Sequence, residues 1–383
     1  MRFLKMMLLC AAIAAFWMEP RFCRAEETRA EETAVNFSPL SFDPSTYLPG
    51  NRAAGAQTTI VPVISTALAD AATQPSDADQ QAGKDDLADD PIYACACGCG
   101  IFEVGTRSML PMGTGLMVYF EYDYQDQNIN WSGSNRAPAS ANPDKEIRTN
   151  FFTTGIQYFF NRNWGIQAEI PFADRYFKTT GGATGSDIAA THWDTIGDIR
   201  VEGIYDGFFP DQSAGVTFGA KLPTGNFTHN DAYGDIDRDT EIGTGSTDIL
   251  LGGFYRNNLT SDGKFSYFAQ VNGDLPVLMQ DQYRPGIEVD SAAGVYMNGL
   301  HIGPVGITPI AQVIDGWRAS DGGNNSANPV ASGYERVLLS PGIEFDLHPV
   351  MIYADVEVPV YQHVTGEQLV GGTLFKMIVS YHF

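Results

Sequence analysis

A chain of 383 residues with 46 Asp plus Glu against 23 Lys plus Arg carries a formal charge of −23 at neutral pH. That balance argues against nucleic acid and anionic lipid headgroups as partners. Forty glycines and 12% aromatic residues, with only 18% charged, suit many short strands and turns better than helices.

The chain opens with Arg2 and Lys5, an apolar run from Met6 to Trp17, then Pro20 and Cys23-Arg24-Ala25. This reads as a secretory signal peptide over residues 1–25. Its removal takes four basic residues (Arg2, Lys5, Arg21, Arg24) and one acidic residue (Glu19), so the remainder is more acidic still. The apolar run is too short to span a membrane as a helix, and no later segment reaches the roughly 18 apolar residues that needs. Membrane residence therefore requires a closed barrel, the other arrangement that satisfies every backbone group in lipid.

Residues 26–90 are poor in large apolar side chains and begin with a near-repeat, Arg24-Ala25-Glu26-Glu27-Thr28 followed by Arg29-Ala30-Glu31-Glu32-Thr33. Such a segment cannot bury enough surface to offset its ordering entropy, and is expected to be a disordered acidic linker.

Residues 91–114 carry Cys95-Ala96-Cys97-Gly98-Cys99, the three cysteines left after the leader. Three sulfurs with Ala and Gly between them can converge on one ion, and thiolates select Cu(I) or Zn(II). The spacing matches neither haem attachment, nor a ferredoxin run, nor a standard zinc finger. A strained disulfide with one free thiol is a second reading, and no function a third. A partner protein in the periplasm could supply a fourth ligand.

From Gly115 onward about twelve segments of roughly 11 residues, the length of a tilted membrane strand, alternate in polarity. They lie near 115–126, 148–160, 164–175, 197–207, 214–224, 247–257, 264–274, 286–297, 305–315, 333–345, 350–361 and 373–383. Leu116, Val118, Phe120, Tyr122 and Tyr124 oppose Met117, Tyr119, Glu121, Asp123 and Gln125. Ile352, Ala354, Val356, Val358 and Val360 oppose Tyr353, Asp355, Glu357 and Pro359. The ninth segment is the weakest, because Pro304 and Pro309 lie in or beside it.

Loop length sorts by parity. Short links such as Asn161-Arg162-Asn163 follow even-numbered strands. Long ones follow odd-numbered strands, at 127–146, 176–196, 225–246, 275–285, 316–332 and 362–372. Outer-membrane barrels are built this way, with short periplasmic turns and longer extracellular loops. Phe159, Phe160, Trp164, Phe208 and Phe209 at the turn side, with Tyr124, Tyr176, Phe177, Trp317 and Tyr334 at the loop side, read as two aromatic girdles.

The last strand puts Phe375, Met377, Val379, Tyr381 and Phe383 on one face and Lys376, Ser380 and His382 on the other. It looks like the sorting signal of bacterial outer-membrane barrels, with Tyr381 and Phe383 as the residues the assembly machinery reads.

Alternation places Glu121, Asp123, Glu169, Glu202, Asp248, Glu344, Asp355 and Glu357 on the inward face, with Asp198, Asp206, Asp274, Glu288 and Asp290. Their basic company is Arg200, Lys221, Arg256, Arg336 and Lys376. An acidic excess favours cations over anions if the lumen is open. A lumen locked by ion pairs is the alternative. Asp231, Asp235, Asp237, Asp239 and Glu241 do not have an EF-hand layout, and read as a solvated acidic loop or a divalent-ion bridge. No Gly-x-Ser-x-Gly elbow is present. His192-Trp193-Asp194 is a close His and acid pair, but it falls in an expected loop with no obvious serine partner, so no enzyme is expected.

Gly197-Asp198-Ile199-Arg200, Lys221-Leu222-Pro223-Thr224-Gly225 and Gly243-Thr244-Gly245-Ser246-Thr247-Asp248-Ile249, in that order, resemble the outer-membrane barrel family named for the meta-pathway of phenol degradation. The likeness covers residues 160–383. It implies an outer-membrane transporter of small, often hydrophobic, compounds. The expectation is thus an all-β, transmembrane, antiparallel up-and-down β-barrel of about twelve strands over residues 115–383, with a disordered N-terminal extension. It would sit in the outer membrane of a Gram-negative-type bacterium, both termini periplasmic. It would pass small molecules or cations, with barrel-anchored Cu or Zn binding and outer-membrane hydrolysis as alternatives.

Overall fold

The computed structural model describes residues 114–182, 185–325 and 331–383. The leader, the acidic linker and Cys95, Cys97 and Cys99 lie outside the described residues.

Twelve antiparallel strands close on themselves. They are β1 (Gly115–Gly133), β2 (Asp144–Phe159), β3 (Trp164–Gly181), β4 (Asp187–Ile196 and, after a break, Ile199–Tyr205), β5 (Ala214–Leu222), β6 (Ser246–Asn258), β7 (Phe265–Met279), β8 (Glu288–Met297), β9 (Val305–Arg318), β10 (Tyr334–Leu347), β11 (Val350–Gly371) and β12 (Leu374–His382). Each pairs with its neighbours in sequence, and β12 returns to β1, from Met117 opposite His382 to Tyr124 opposite Phe375. Above the start of β12 the seam continues as β1 against the upper half of β11, from Gln127 opposite Gly371 to Gly133 opposite Val364. Around the closed belt of strands no edge is left free, which is what lets a sheet exist in lipid.

The alternation legible in the sequence sets the two faces. Phe120, Ile156, Ile166, Phe218, Leu251, Val271, Val295, Val313, Leu339 and Val356, one on each of ten strands, are exposed on the outside. The residues beside them turn inward: Glu121 is 6% exposed and Asp355 3%, against 40% for Val356. At the turn-side end the interior is apolar rather than charged. Met117, Tyr119, Phe159, Ile204, Phe254, Phe268, Tyr296 and Tyr353 belong to one buried cluster. Tyr119 lies across β2 at Gly155, where a Cβ would fall 1.9 Å from its ring, and its hydroxyl donates to Glu169 on β3.

Several expectations need correction. Several of the expected long loops are largely strand: β1 runs 19 residues, β3 18 and β11 22, well beyond the 9–11 that span a bilayer. Their polar outer halves still alternate, and a neighbour at each register position supplies hydrogen bonds, so the ladder continues. His192 lies on this extended part of β4, not in a loop. Its Nε2 contacts Asp174 on β3 rather than Asp194. The girdles are half right. Phe160, Trp164, Phe208, Phe209 and Trp317 are exposed, but Phe159, Phe177 and Tyr334 are 3%, 5% and 2% exposed and point inward. Adjacent residues on a strand cannot share a face, so Phe159 and Phe160 had to part. The ninth strand is a full member, because the β8 ladder ends at Tyr296 opposite Ile310 and never asks Pro309 for its missing N–H.

Candidate functional site: the barrel interior and its inward loop

The wall is uneven. β5 has only nine residues and ends at Leu222, and β6 does not begin until Ser246. The upper segment of β4 therefore has β3 on one side and, among the described residues, no strand on the other. The intervening residues, 223–245, fold over this gap and inward. Tyr233 donates from its hydroxyl to the Asp187 carbonyl (2.6 Å), Trp193 stacks on His229 (ring centroids 4.5 Å apart, 11° between planes), and Ile236 is buried with Ile147, Phe177 and Leu369.

The loop is pinned at both ends by one carboxylate. β4 breaks at Gly197-Asp198, where the Gly197 N–H donates to the Pro171 carbonyl (2.8 Å) and the pairing with β3 shifts by one residue. This bulge turns Asp198 toward the loop. Its Oδ1 accepts the Gly225 N–H (2.9 Å), and its Oδ2 accepts both the N–H (2.8 Å) and the hydroxyl (2.6 Å) of Thr244. Gly225 and Gly243 touch backbone to backbone there. A Cβ on Gly243 would sit 2.4 Å from the Gly225 carbonyl carbon, so neither position has room for a side chain. The three motif segments noted in the sequence thus meet at one knot. Deeper in, Arg175 on β3 holds the loop from below, donating to the carbonyls of Thr240 (2.5 Å) and Glu241 (3.2 Å). Asp239 and Glu241 are 5% and 6% exposed. The solvated-loop reading is therefore wrong for these two, although Asp235 is exposed.

Under this loop lies a cavity of about 270 Å³. It is bounded by β1–β9, with Arg238, Asp239, Glu241 and Thr244 contributed by the loop. Glu121, Asp123, Glu169 and Glu202 all reach it, as do Asp198, Asp274, Glu288 and Asp290.

Two charge networks frame the interior. In one, Lys376 on β12 stands between Asp123 on β1 and Asp355 on β11 in the ladder. Its Nζ is 3.1 Å from Glu121 and 3.7 Å from Asp123. Asp355 Oδ2 also accepts hydrogen bonds from Ser340 Oγ (2.5 Å), the Tyr353 hydroxyl (2.7 Å) and Gln312 Nε2 (3.1 Å). Glu357, 0% exposed, completes the group. In the other network Lys221 bridges Asp248 (2.5 Å) and Asp274 (3.1 Å), and Arg200 joins Asp274 at 2.9 Å. Glu344 on β10 is buried as well, 1% exposed. Tyr381 and Phe383 lie outside the wall, 43% and 74% exposed, with rings 4.6 Å apart.

Sequence reasoning missed Arg175, Asp239 and Glu241 as interior groups. It also missed Tyr119 and Tyr353 as polar partners, though their parity with Glu121 and Asp355 signals them. Nothing local signals that the loop folds in.

The fold and interior define a closed twelve-strand antiparallel barrel with a loop-covered cavity. No protein-family profile and no curated protein sequence matches this chain. Among solved structures, an outer-membrane channel from Pseudomonas putida F1 superposes with a TM-score of 0.56 at 10% identity, over 73% of this chain and 100% of that one. The β domain of the Bordetella autotransporter BrkA gives 0.43 at 11% identity, over 70% and 100%. A Pseudomonas aeruginosa FadL homologue gives 0.37 at 10%, over 70% and 90%. These are likenesses of fold.

Proposed function

We propose that this chain is an outer-membrane channel for small organic molecules. The observation that carries the reading is the cavity inside a closed barrel, roofed by an inward-folded loop and walled by paired charges. A barrel that served only as a lipid-facing scaffold would have no need of an internal, partly charged chamber. The outward apolar residues on ten strands supply a surface for lipid, so the wall belongs in the outer membrane, with the short turns and both chain ends on the periplasmic side. The fold likeness to the Pseudomonas putida channel supports the same class. The meeting of the Gly197-Asp198, Lys221–Gly225 and Gly243–Asp248 segments at one knot supports a place in the phenol meta-pathway barrel family, since it gives their spacing a physical purpose.

The cargo passes the loop-side mouth and enters the chamber under residues 223–245; beyond it the turn-side interior is packed by Met117, Tyr119, Phe159 and Phe268, which must move aside for passage. The test is flux. Purified protein in liposomes should admit small aromatic solutes faster than protein-free vesicles, and planar bilayers should show discrete conductance steps. Vesicles no more permeable than controls, with the barrel folded by its heat-modifiable migration, would refute the channel reading.

A further inference from the structure

On the turn side of the chamber the lumen is filled by rings. Tyr119, Phe159, Phe254, Phe268 and Tyr353 belong to one buried cluster and are 1%, 3%, 8%, 1% and 1% exposed. Four of them lie over a glycine directly opposite in the ladder: Tyr119 on Gly155, Phe159 on Gly165, Phe254 on Gly215 and Phe268 on Gly294. A Cβ on these glycines would fall 1.9, 2.8, 2.3 and 2.5 Å from the rings. Tyr353 covers Gly342 on β10 diagonally, where a Cβ would fall 2.6 Å from its hydroxyl. Only backbone lies beneath each ring. A ring that leaves such a seat frees its whole thickness, whereas a ring leaving a side chain would free only the space above that side chain. An apolar constriction of this kind sheds water and stops ions.

One of these rings is tied to the chamber. The Tyr119 hydroxyl donates to Glu169 Oε1 on β3. The same oxygen accepts Gln167 Nε2 (2.8 Å), and Gln167 Oε1 in turn accepts Gln157 Nε2 (2.9 Å). Gln157, Gln167 and Glu169 all line the chamber, and Tyr119 lies behind them. A solute in the chamber with a donor that reaches Glu169 competes with the Tyr119 hydroxyl for that oxygen. Once the hydroxyl is displaced, the ring holds its seat by packing alone. Rotation about χ1 into another staggered well then carries it off Gly155. Phe159, Phe254 and Phe268 have no hydroxyl and no such tie. Tyr353 bonds Asp355 (2.7 Å), which lies outside the chamber lining and is also held by Ser340 and Gln312.

We propose that the glycine-seated rings are the selectivity gate of the channel, and that Tyr119, latched to Glu169 on the chamber side, is the residue whose movement opens it. Shut, the gate holds back ions. Open, it passes uncharged solutes no wider than the space a ring vacates. The proposal rests on the channel reading and adds where along the lumen selection occurs.

The experiment compares the full-length parent with Tyr119→Phe, Tyr119→Ala and Phe218→Ala, in planar bilayers with potassium chloride and by liposome swelling in arabinose and in sucrose. Tyr119→Phe keeps the ring and its seat and removes the latch, so openings should become about threefold more frequent at the parental step size. Tyr119→Ala removes the ring, so the step size should rise about twofold and sucrose should enter as well as arabinose. Phe218 lies over Gly203 in the same way, with a Cβ contact of 2.8 Å, but on the lipid face, 46% exposed. Phe218→Ala should therefore match the parent in both assays. Heat-modifiable migration confirms folded barrels, and should Tyr119→Ala not fold, Tyr119→Phe, which keeps the packing, carries the test. A conducting parent with unchanged Tyr119 variants would overturn the gate and leave the channel standing. Phe218→Ala reproducing the Tyr119 effects would also overturn the gate, since ring-on-glycine contacts would then serve only the wall. A silent parent with a conducting Tyr119→Ala would support the rings as the closure and remove the channel reading. Silence in every variant would overturn both.

Discussion

Asp198 grips Thr244 twice, through the backbone N–H at 2.8 Å and the hydroxyl at 2.6 Å on the same carboxylate oxygen. Forty-six residues separate them, and between them lie the whole of β5 and the inward loop. With the Gly225 N–H on its other oxygen, this one side chain closes the ring that holds residues 223–245 in the lumen. Hydrogen bonds to an ionised group are worth about 1.5–3 kcal/mol each. Asp198→Ala should therefore release the loop while the twelve-strand ladder persists. The expected result is larger single-channel conductance and new protease cleavage between residues 226 and 238, at unchanged heat-modifiable migration. Conductance and cleavage both matching the parent would show that the knot does not hold the loop.

Lys376 is the cation for a group of carboxylates contributed by β1 and β11, and it is 1% exposed. Removing one member of a buried, hydrogen-bonded ion pair costs about 3–5 kcal/mol, because the charge left behind is unmatched. Lys376→Met should lower the urea midpoint of the refolded barrel accordingly. Adding Glu121→Gln should recover part of the loss, since it removes the carboxylate nearest to Lys376, at 3.1 Å. A double variant no better than the single would mean that the two are not coupled.

Neighbouring positions on β11 should respond oppositely to charge. Val356→Arg places a cation on the lipid side of the wall, where about 2–4 kcal/mol is expected near the bilayer midplane. Asp355→Asn keeps the size and most of the hydrogen-bond geometry on the interior side, and should cost much less. Equilibrium unfolding in lipid vesicles distinguishes them, and equal losses would reverse the assigned faces.

Glu241 gives loop docking a pH dependence. Burial is the largest influence and raises its carboxyl from 4.5 to about 7, while the bonded His229 N–H, Arg175 and Arg238 pull it down and Asp235 pushes it up. The docked loop thus holds the proton more tightly than a released one. Docking is strongest below pH 4.5 and weakens as pH rises through about 7. Hydrogen exchange of loop amides should show more protection at pH 5 than at pH 8. Glu241→Gln should flatten that difference, and a pH effect unchanged in the variant would assign it elsewhere.

Phe383 tests assembly. Its ring is 74% exposed beside Tyr381, and its N–H donates to the Leu116 carbonyl (2.9 Å) where β12 meets β1. Phe383→Asp keeps that backbone bond and removes only the apolar ring. The variant should accumulate as protease-sensitive, unassembled protein in cells, yet refold in detergent. Normal amounts of folded barrel in the outer membrane would remove Phe383 from the assembly signal.

The strands and their faces were legible in the sequence because period-two alternation is local: Phe120 beside Glu121, or Asp355 beside Val356, declares its side without reference to any other strand. Loop parity was legible for the same reason, although the polar outer halves of β1, β3 and β11 hid their strand character until a neighbour supplied the ladder. The partnerships inside belong to the tertiary structure. Lys376 and Glu121 are 255 residues apart and meet only because the barrel closes. The Gly197-Asp198, Gly225 and Gly243-Thr244 segments could be seen as a recurring pattern, but not as one knot, since their contact depends on a bulge in β4 and on two glycines touching across a loop. The inward turn of residues 223–245 was decided last and least locally. An acidic loop gains by staying in water unless its backbone finds partners elsewhere, and here Asp198 and Arg175, on two other strands, supply them.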